Sequence, residues 1–95
     1  MKVVIITGGG SGIGAATAKK LLARSESVLI AGRDGAKLNA LVKDQTGSHG
    51  DIACCPADVS EPEDVQRIIN CALQWKGRID AVINCAGVAP MRRAQ

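Results

Sequence analysis

An apolar run, Val3-Val4-Ile5-Ile6, leads without a break into Thr7-Gly8-Gly9-Gly10-Ser11-Gly12-Ile13-Gly14, and then into helix-forming residues. A chain that reads strand, glycine turn and helix start within its first turn of sequence has few folds open to it. Glycines at 8, 12 and 14 leave no Cβ where the chain must reverse, where a ligand must approach the backbone, and where helix must press on strand. The exposed N–H groups and positive end of the following helix suit a phosphate or pyrophosphate. A glycine turn with no ligand is the alternative, since any strand-to-helix turn favours glycine.

The rest of the chain supplies the context that decides between them. The first helix is expected over Ser11 to Arg24, with Gly14, Ala18, Leu21 and Leu22 on one face at helical spacing. Val28-Leu29-Ile30-Ala31 is a continuous apolar run, as a strand buried on both faces requires. Asp34 is placed to cap a second helix reaching Thr46, with Leu38, Leu41 and Val42 as its apolar stripe and Gly47 at its end. Ile52-Ala53-Cys54-Cys55 reads as a third strand stopped by Pro56.

Ser60-Glu61-Pro62-Glu63 carries the capping-box pattern and predicts a helix start. Val65, Ile68, Ile69, Ala72 and Leu73 then follow helical periodicity up to Trp75 and Gly77. Ile79 to Asn84 is the last strand. The order β-α-β-α-β-α-β, with each crossover a helix long, predicts right-handed connections and a four-stranded parallel sheet in the order 3-2-1-4. That is an α/β fold, one half of a doubly wound Rossmann sheet plus the strand across its switch point, in which the glycine turn is a dinucleotide-binding fingerprint. At 95 residues the chain is expected to form one domain, residues 1–95.

Composition narrows function mainly by exclusion. With 46% hydrophobic and 22% charged residues the chain is not of the disordered class. A net charge of +3, with basic residues clustered only at Lys19-Lys20 and Arg92-Arg93, gives no nucleic-acid surface. No apolar run approaches a membrane span, and Met1-Lys2 leads into a strand rather than a signal segment, so a cytoplasmic, membrane-free protein is expected. The four cysteines, Cys54, Cys55, Cys71 and Cys85, have no C-x-x-C spacing and only His49 as a possible helper. They are expected to be reduced thiols, with no metal site.

Four stretches resemble the short-chain dehydrogenase/reductase family: Thr7 to Gly14, Ala31-Gly32-Arg33-Asp34, Asp58-Val59, and Asn84-Cys85-Ala86-Gly87. The resemblance implies that Gly8, Gly10, Ser11, Gly12, Ile13 and Gly14 cradle the pyrophosphate and adenosine end of a dinucleotide. It implies that Asp58 and Val59 lie against the adenine; for Asp58 a turn role, bonding its own backbone, stands equally open. Asn84, Ala86 and Gly87 match the family's N-N-A-G, where small residues pass close to the cofactor ribose, with Cys85 replacing the second Asn.

At the end of the second strand an NAD-selective site needs a carboxylate for the ribose 2′-OH. Arg33 stands there instead, and a guanidinium meets a 2′-phosphate with forked hydrogen bonds, so NADP is expected in preference to NAD. The alternative is that Arg33 is a solvated loop charge. The family implies hydride exchange between NADPH and a carbonyl/hydroxyl pair, using a Tyr, a Lys four positions later and a Ser beyond the matching segment. The sequence contains no Tyr, and no catalytic residue carries over. The chain is therefore expected to be the cofactor-binding part of such an oxidoreductase, truncated relative to the family and inactive alone. A non-catalytic nucleotide-binding module, or a fragment without independent activity that associates through its fourth strand, are the other readings.

Overall fold

Successive strand residues face opposite sides of a sheet, so the apolar residues of β1 (Val3–Thr7) feed two cores at once. In the computed structural model, which describes residues 2–8, 12–45, 47 and 50–85, Val4 and Ile6 point to one core and Ile5 to the other. Five expected features lie outside the described residues: Gly10 and Ser11, the helix end at Thr46, His49, Ala86 and Gly87, and the pair Arg92-Arg93.

The elements alternate as β1, α1 (Gly12–Ala23), β2 (Ser27–Gly32), α2 (Gly35–Gln45), β3 (Ile52–Pro56), α3 (Pro62–Lys76) and β4 (Ala81–Asn84). The strands form one sheet in the order β3-β2-β1-β4, every pair parallel. Val4, Ile6, Val28 and Ile30 meet Ala18 and Leu22 of α1 and Leu38 and Leu41 of α2 on one face. Ile5, Leu29, Ala31 and Cys55 meet Ile68 and Ala72 of α3 on the other. Helices on both faces make the sheet doubly wound.

The helix ends show how local chemistry sets the boundaries. Asp34 caps α2, its Oδ1 accepting from Lys37 N at 3.2 Å while its carbonyl accepts from Leu38 N at 3.1 Å. Gly77 closes α3 in the left-handed region at φ 77°, donating to Leu73 O at 2.7 Å. α1 ends without a glycine, on Ser25 at φ 64°.

Two expectations change. The capping box between Ser60 and Glu63 does not form, because Pro62 takes the first helical position and makes Glu61 the N-cap, whose side chain makes no cap hydrogen bond. β3 also continues through Pro56, which pairs with Gly32. An edge strand tolerates a residue without an N–H, and the ladder resumes with Ala57 N donating to Gly32 O at 2.7 Å. The stripe of α3 is only partly covered: Ile68 and Ala72 are buried, whereas Val65 and Leu73 remain exposed.

Candidate cofactor-binding site

All four strands end on the same side of a parallel sheet, and the chain leaves each of them there. Gly8 N donates to Ala31 O at 2.7 Å and Cys85 N to Thr7 O at 2.8 Å, which draws the ends of β1, β2 and β4 level with one another. β1 is the switch point, because the connection from it runs to β2 on one side while β4 returns on the other. Over these ends lies a cavity of about 510 Å³. Gly8 walls it after β1, Gly32, Arg33, Asp34, Lys37 and Leu38 after β2, Ala57 to Ser60 after β3, and Cys85 after β4. Its size falls within the usual range of small-ligand pockets.

Gly8 adopts φ 75°, a conformation that side chains with a Cβ rarely take, so the reversal out of β1 requires glycine. Gly14 is buried where α1 meets the sheet. Gly12 is different: its φ is not in the left-handed region, and a Cβ built there would have nothing within 4 Å. Among the described residues, neither backbone strain nor packing demands glycine at 12. Ile13, beside it, is 73% exposed. Gly12, Ile13 and Gly14 open α1 and do not wall the cavity.

On the β2 side, Asp34 spends its carboxylate on the first turn of α2, and Arg33 stands exposed on the cavity wall. On the β3 side, Asp58 Oδ1 accepts from the Ser60 hydroxyl at 2.7 Å and the Ser60 amide at 2.9 Å. Asp58 thus fills the turn role that the sequence left open. These two bonds, helped by the positive charge of Arg33, hold its carboxyl below the ordinary aspartate range against a smaller opposing effect of burial. Its own amide donates to Asp64 Oδ2 at 2.7 Å, which fixes the loop to the first turn of α3.

At the end of β4, Asn84 Oδ1 lies 3.0 Å from Thr7 Oγ1, so this side chain braces β4 against β1. Of the residues singled out from the sequence, the fold brings Gly8, Arg33, Asp58 and Val59 onto one cavity and sets Asn84 beside it. Sequence reasoning missed Lys37 and Ser60 as wall residues. Lys37 was readable in principle, since the third residue after a cap at Asp34 lies in the first helical turn and shares the sheet end with Arg33.

A family model described as short chain dehydrogenase matches residues 2–95. The chain belongs to the short-chain dehydrogenase family. An uncharacterized oxidoreductase of Staphylococcus haemolyticus is 42% identical over 87 residues, which are 92% of this chain and 37% of that protein. Among solved structures, an alcohol dehydrogenase from the archaeon Thermococcus sibiricus complexed with 5-hydroxy-NADP superposes with a TM-score of 0.81 at 28% identity, over 86% of this chain and 35% of that one. A 3-ketoacyl-(acyl-carrier-protein) reductase from Brucella melitensis complexed with NADH gives 0.77 at 33% identity, over 85% of this chain and 32% of that one. The chain spans about a third of the length of these short-chain dehydrogenase relatives.

Proposed function

We propose that residues 1–95 form the cofactor-binding unit of an NADP-dependent short-chain oxidoreductase that exchanges hydride between NADPH and a carbonyl/hydroxyl pair. The observation that carries the NADP reading is the division of labour at the end of β2. One oxygen of the Asp34 carboxylate accepts from the amide of Lys37, and the positive charge on the cavity wall beside it comes from Arg33, with Lys37 next to it. An NAD site needs the reverse, a carboxylate turned to the ribose 2′-OH. Gly12 supports a ligand at the start of α1, since the space above it, open among the described residues, leaves room for a close-lying pyrophosphate. The two solved relatives carry one NADP-type and one NAD-type ligand, so the choice rests on this chain's own residues.

Gly8, Gly12 and Gly14 would hold the diphosphate, Arg33 the 2′-phosphate, and Asp58 and Val59 the adenine end, with Gly10, Ser11, Asn84, Ala86 and Gly87 completing the cradle. The bound nicotinamide supplies or accepts the hydride. The chain supplies orientation and charge matching, and because it contains no Tyr, carbonyl reduction by these 95 residues alone is expected to be undetectable.

The test is a binding titration with NADPH and NADH on the chain and on Arg33→Ala. The preference for NADPH should fall about ten- to a hundredfold, in line with the roughly 1.5–3 kcal/mol of charge-assisted hydrogen bonds. An unchanged preference removes the NADP assignment. Saturable NADPH binding without turnover in any longer form of the protein would favour a nucleotide-binding module instead.

A further inference from the structure

The cavity uses neither Cys55 nor Cys71, and their placement follows from strand alternation. Cys54 and Cys55 are adjacent in β3, so they face opposite sides of the sheet. Cys54 turns toward α2, its Sγ 3.3 Å from Asn39 Oδ1. Cys55 turns toward α3, where its Sγ lies 3.5 Å from Cys71 Sγ and 3.9 Å from Arg67 Nη1. Cys55 is buried and Cys71 half-buried. All four thiols are free.

We propose that Cys55 and Cys71 form an oxidation site, at which a two-electron oxidant of the peroxide class closes a disulfide that ties β3 to α3. Cys71, the more accessible sulfur, reacts first. Cys71 loses its proton and its sulfur attacks a peroxide oxygen; the O–O bond breaks, Cys71 becomes a sulfenic acid, and the departing hydroxide takes up that proton as water. Cys55 then loses its proton and attacks the Cys71 sulfur; the S–O bond breaks and the departing hydroxide takes up that proton as a second water. Two thiols and one peroxide give one disulfide and two waters. The sulfurs close by about 1.5 Å to reach an S–S bond of about 2.05 Å.

The consequence reaches the cavity wall. Cys55 stands two residues before Ala57, and the loop from Ala57 to Ser60 is already fastened to α3 by the bond from Asp58 N to Asp64. The disulfide adds a second fastening to α3, from β3 rather than from the loop, about two helix turns further along the helix.

The test treats the folded 95-residue chain with hydrogen peroxide, blocks remaining thiols with an alkylating reagent, and maps the digest by mass spectrometry. The C54S variant makes Cys55 the sole thiol of its peptide and settles which neighbour reacts. The expected result, in wild type and C54S, is loss of two alkylatable thiols, a mass lower by two hydrogens, and a 55–71 linked peptide that a dithiol reductant reverses. C71S should lack the link, and the same reaction in urea should lose its selectivity. A stable sulfenic or sulfinic acid at Cys71 without the linked peptide overturns the proposal, as does a link through Cys54 or Cys85, whether or not C71S folds.

Discussion

β1 has a neighbour on each side, and the two are held by different physics. On one flank, Val28 to Ala31 of β2 are fully or almost fully buried, roofed by α1 and α2 on one face and by α3 on the other. On the other flank β4 is open, with Val82 59% exposed. Beyond the ladder itself, β4 is fastened by polar contacts at its two ends. Asp80 Oδ2 accepts from Val3 N at 2.7 Å, and Thr7 Oγ1 meets Asn84 Oδ1. Burial of an apolar side chain stabilises by about 1.5–3 kcal/mol, whereas a typical hydrogen bond contributes about 1 kcal/mol net. The β2 flank therefore sets the stability of the fold, and the β4 flank sets where the cavity's last wall stands.

The largest expected effect separates the flanks directly. Leu22→Ala removes a fully buried side chain from the core under α1 and should cost roughly 2–5 kcal/mol, enough to threaten folding of a domain this small. Val82→Ala, on the open strand, should change stability by less than about 0.5 kcal/mol. Denaturant midpoints of the two variants, compared at equal slope, measure the contrast. Comparable losses would mean that β4 is buried in solution by something the isolated chain contacts.

Gly50→Ala comes next, and it shows where the sequence stopped being readable. In the sequence Gly50 is one of several breakers in a loop. In the fold its N donates to Leu22 O at 3.1 Å, and a Cβ there would collide with the Glu26 carbonyl and crowd Leu22. Overpacking of this kind should cost about 1–3 kcal/mol, again on the β2 flank. A neutral Gly50→Ala in a thermal melt would show that the loop gives way. Strands, helices, sheet order and the two apolar faces were legible, because β1, β2, α1 and α2 each follow one period without conflict. Contacts between loops distant in sequence carry no period, so Gly50 against Glu26 was hidden. The start of α3 misled for another reason: Ser60 and Glu63 have capping-box spacing, yet Pro62 fixes the helix start and Asp58 captures Ser60 first. The cavity was half legible: of the residues that motifs name, Gly8, Arg33, Asp58 and Val59 line it, Gly12, Ile13 and Gly14 do not, and Lys37, which only the helix geometry brings to the wall, was not read.

Asp34→Ala tests the same flank at its site end. Loss of the cap on α2 should cost about 1 kcal/mol by chemical denaturation. Asp34→Asn keeps an acceptor for Lys37 N and should recover most of it. A variant that loses its cap and also loses NADH affinity relative to NADPH would show that Asp34, rather than Arg33, governs the 2′ position.

The smallest effect belongs to the β4 flank and is read best by pH. The Asp80 carboxyl is held below the ordinary aspartate range, first by its bond to Arg78, 2.6 Å from Oδ1, and then by the Val3 amide, with burial opposing weakly. A group whose pKa is depressed by folding contributes stability that is complete above its unfolded value, about 3.9, and is lost as pH falls through the lower folded value. The tie between β4 and β1 should therefore hold at neutral pH and loosen only below about pH 4, where the unfolded chain already binds the proton. Asp58 is depressed in the same direction by Ser60, so a global acid melt mixes the two. The amide shift of Val3 followed by NMR separates them, because that N–H bonds Asp80 alone among the carboxylates described. In the wild type it should titrate below the ordinary aspartate value, and in Asp80→Asn, which keeps an oxygen acceptor but no charge, it should be flat. A Val3 amide that titrates at the ordinary value would mean that the carboxylate fastening is absent in solution and that β4 holds to β1 through backbone hydrogen bonds and the Thr7 hydroxyl.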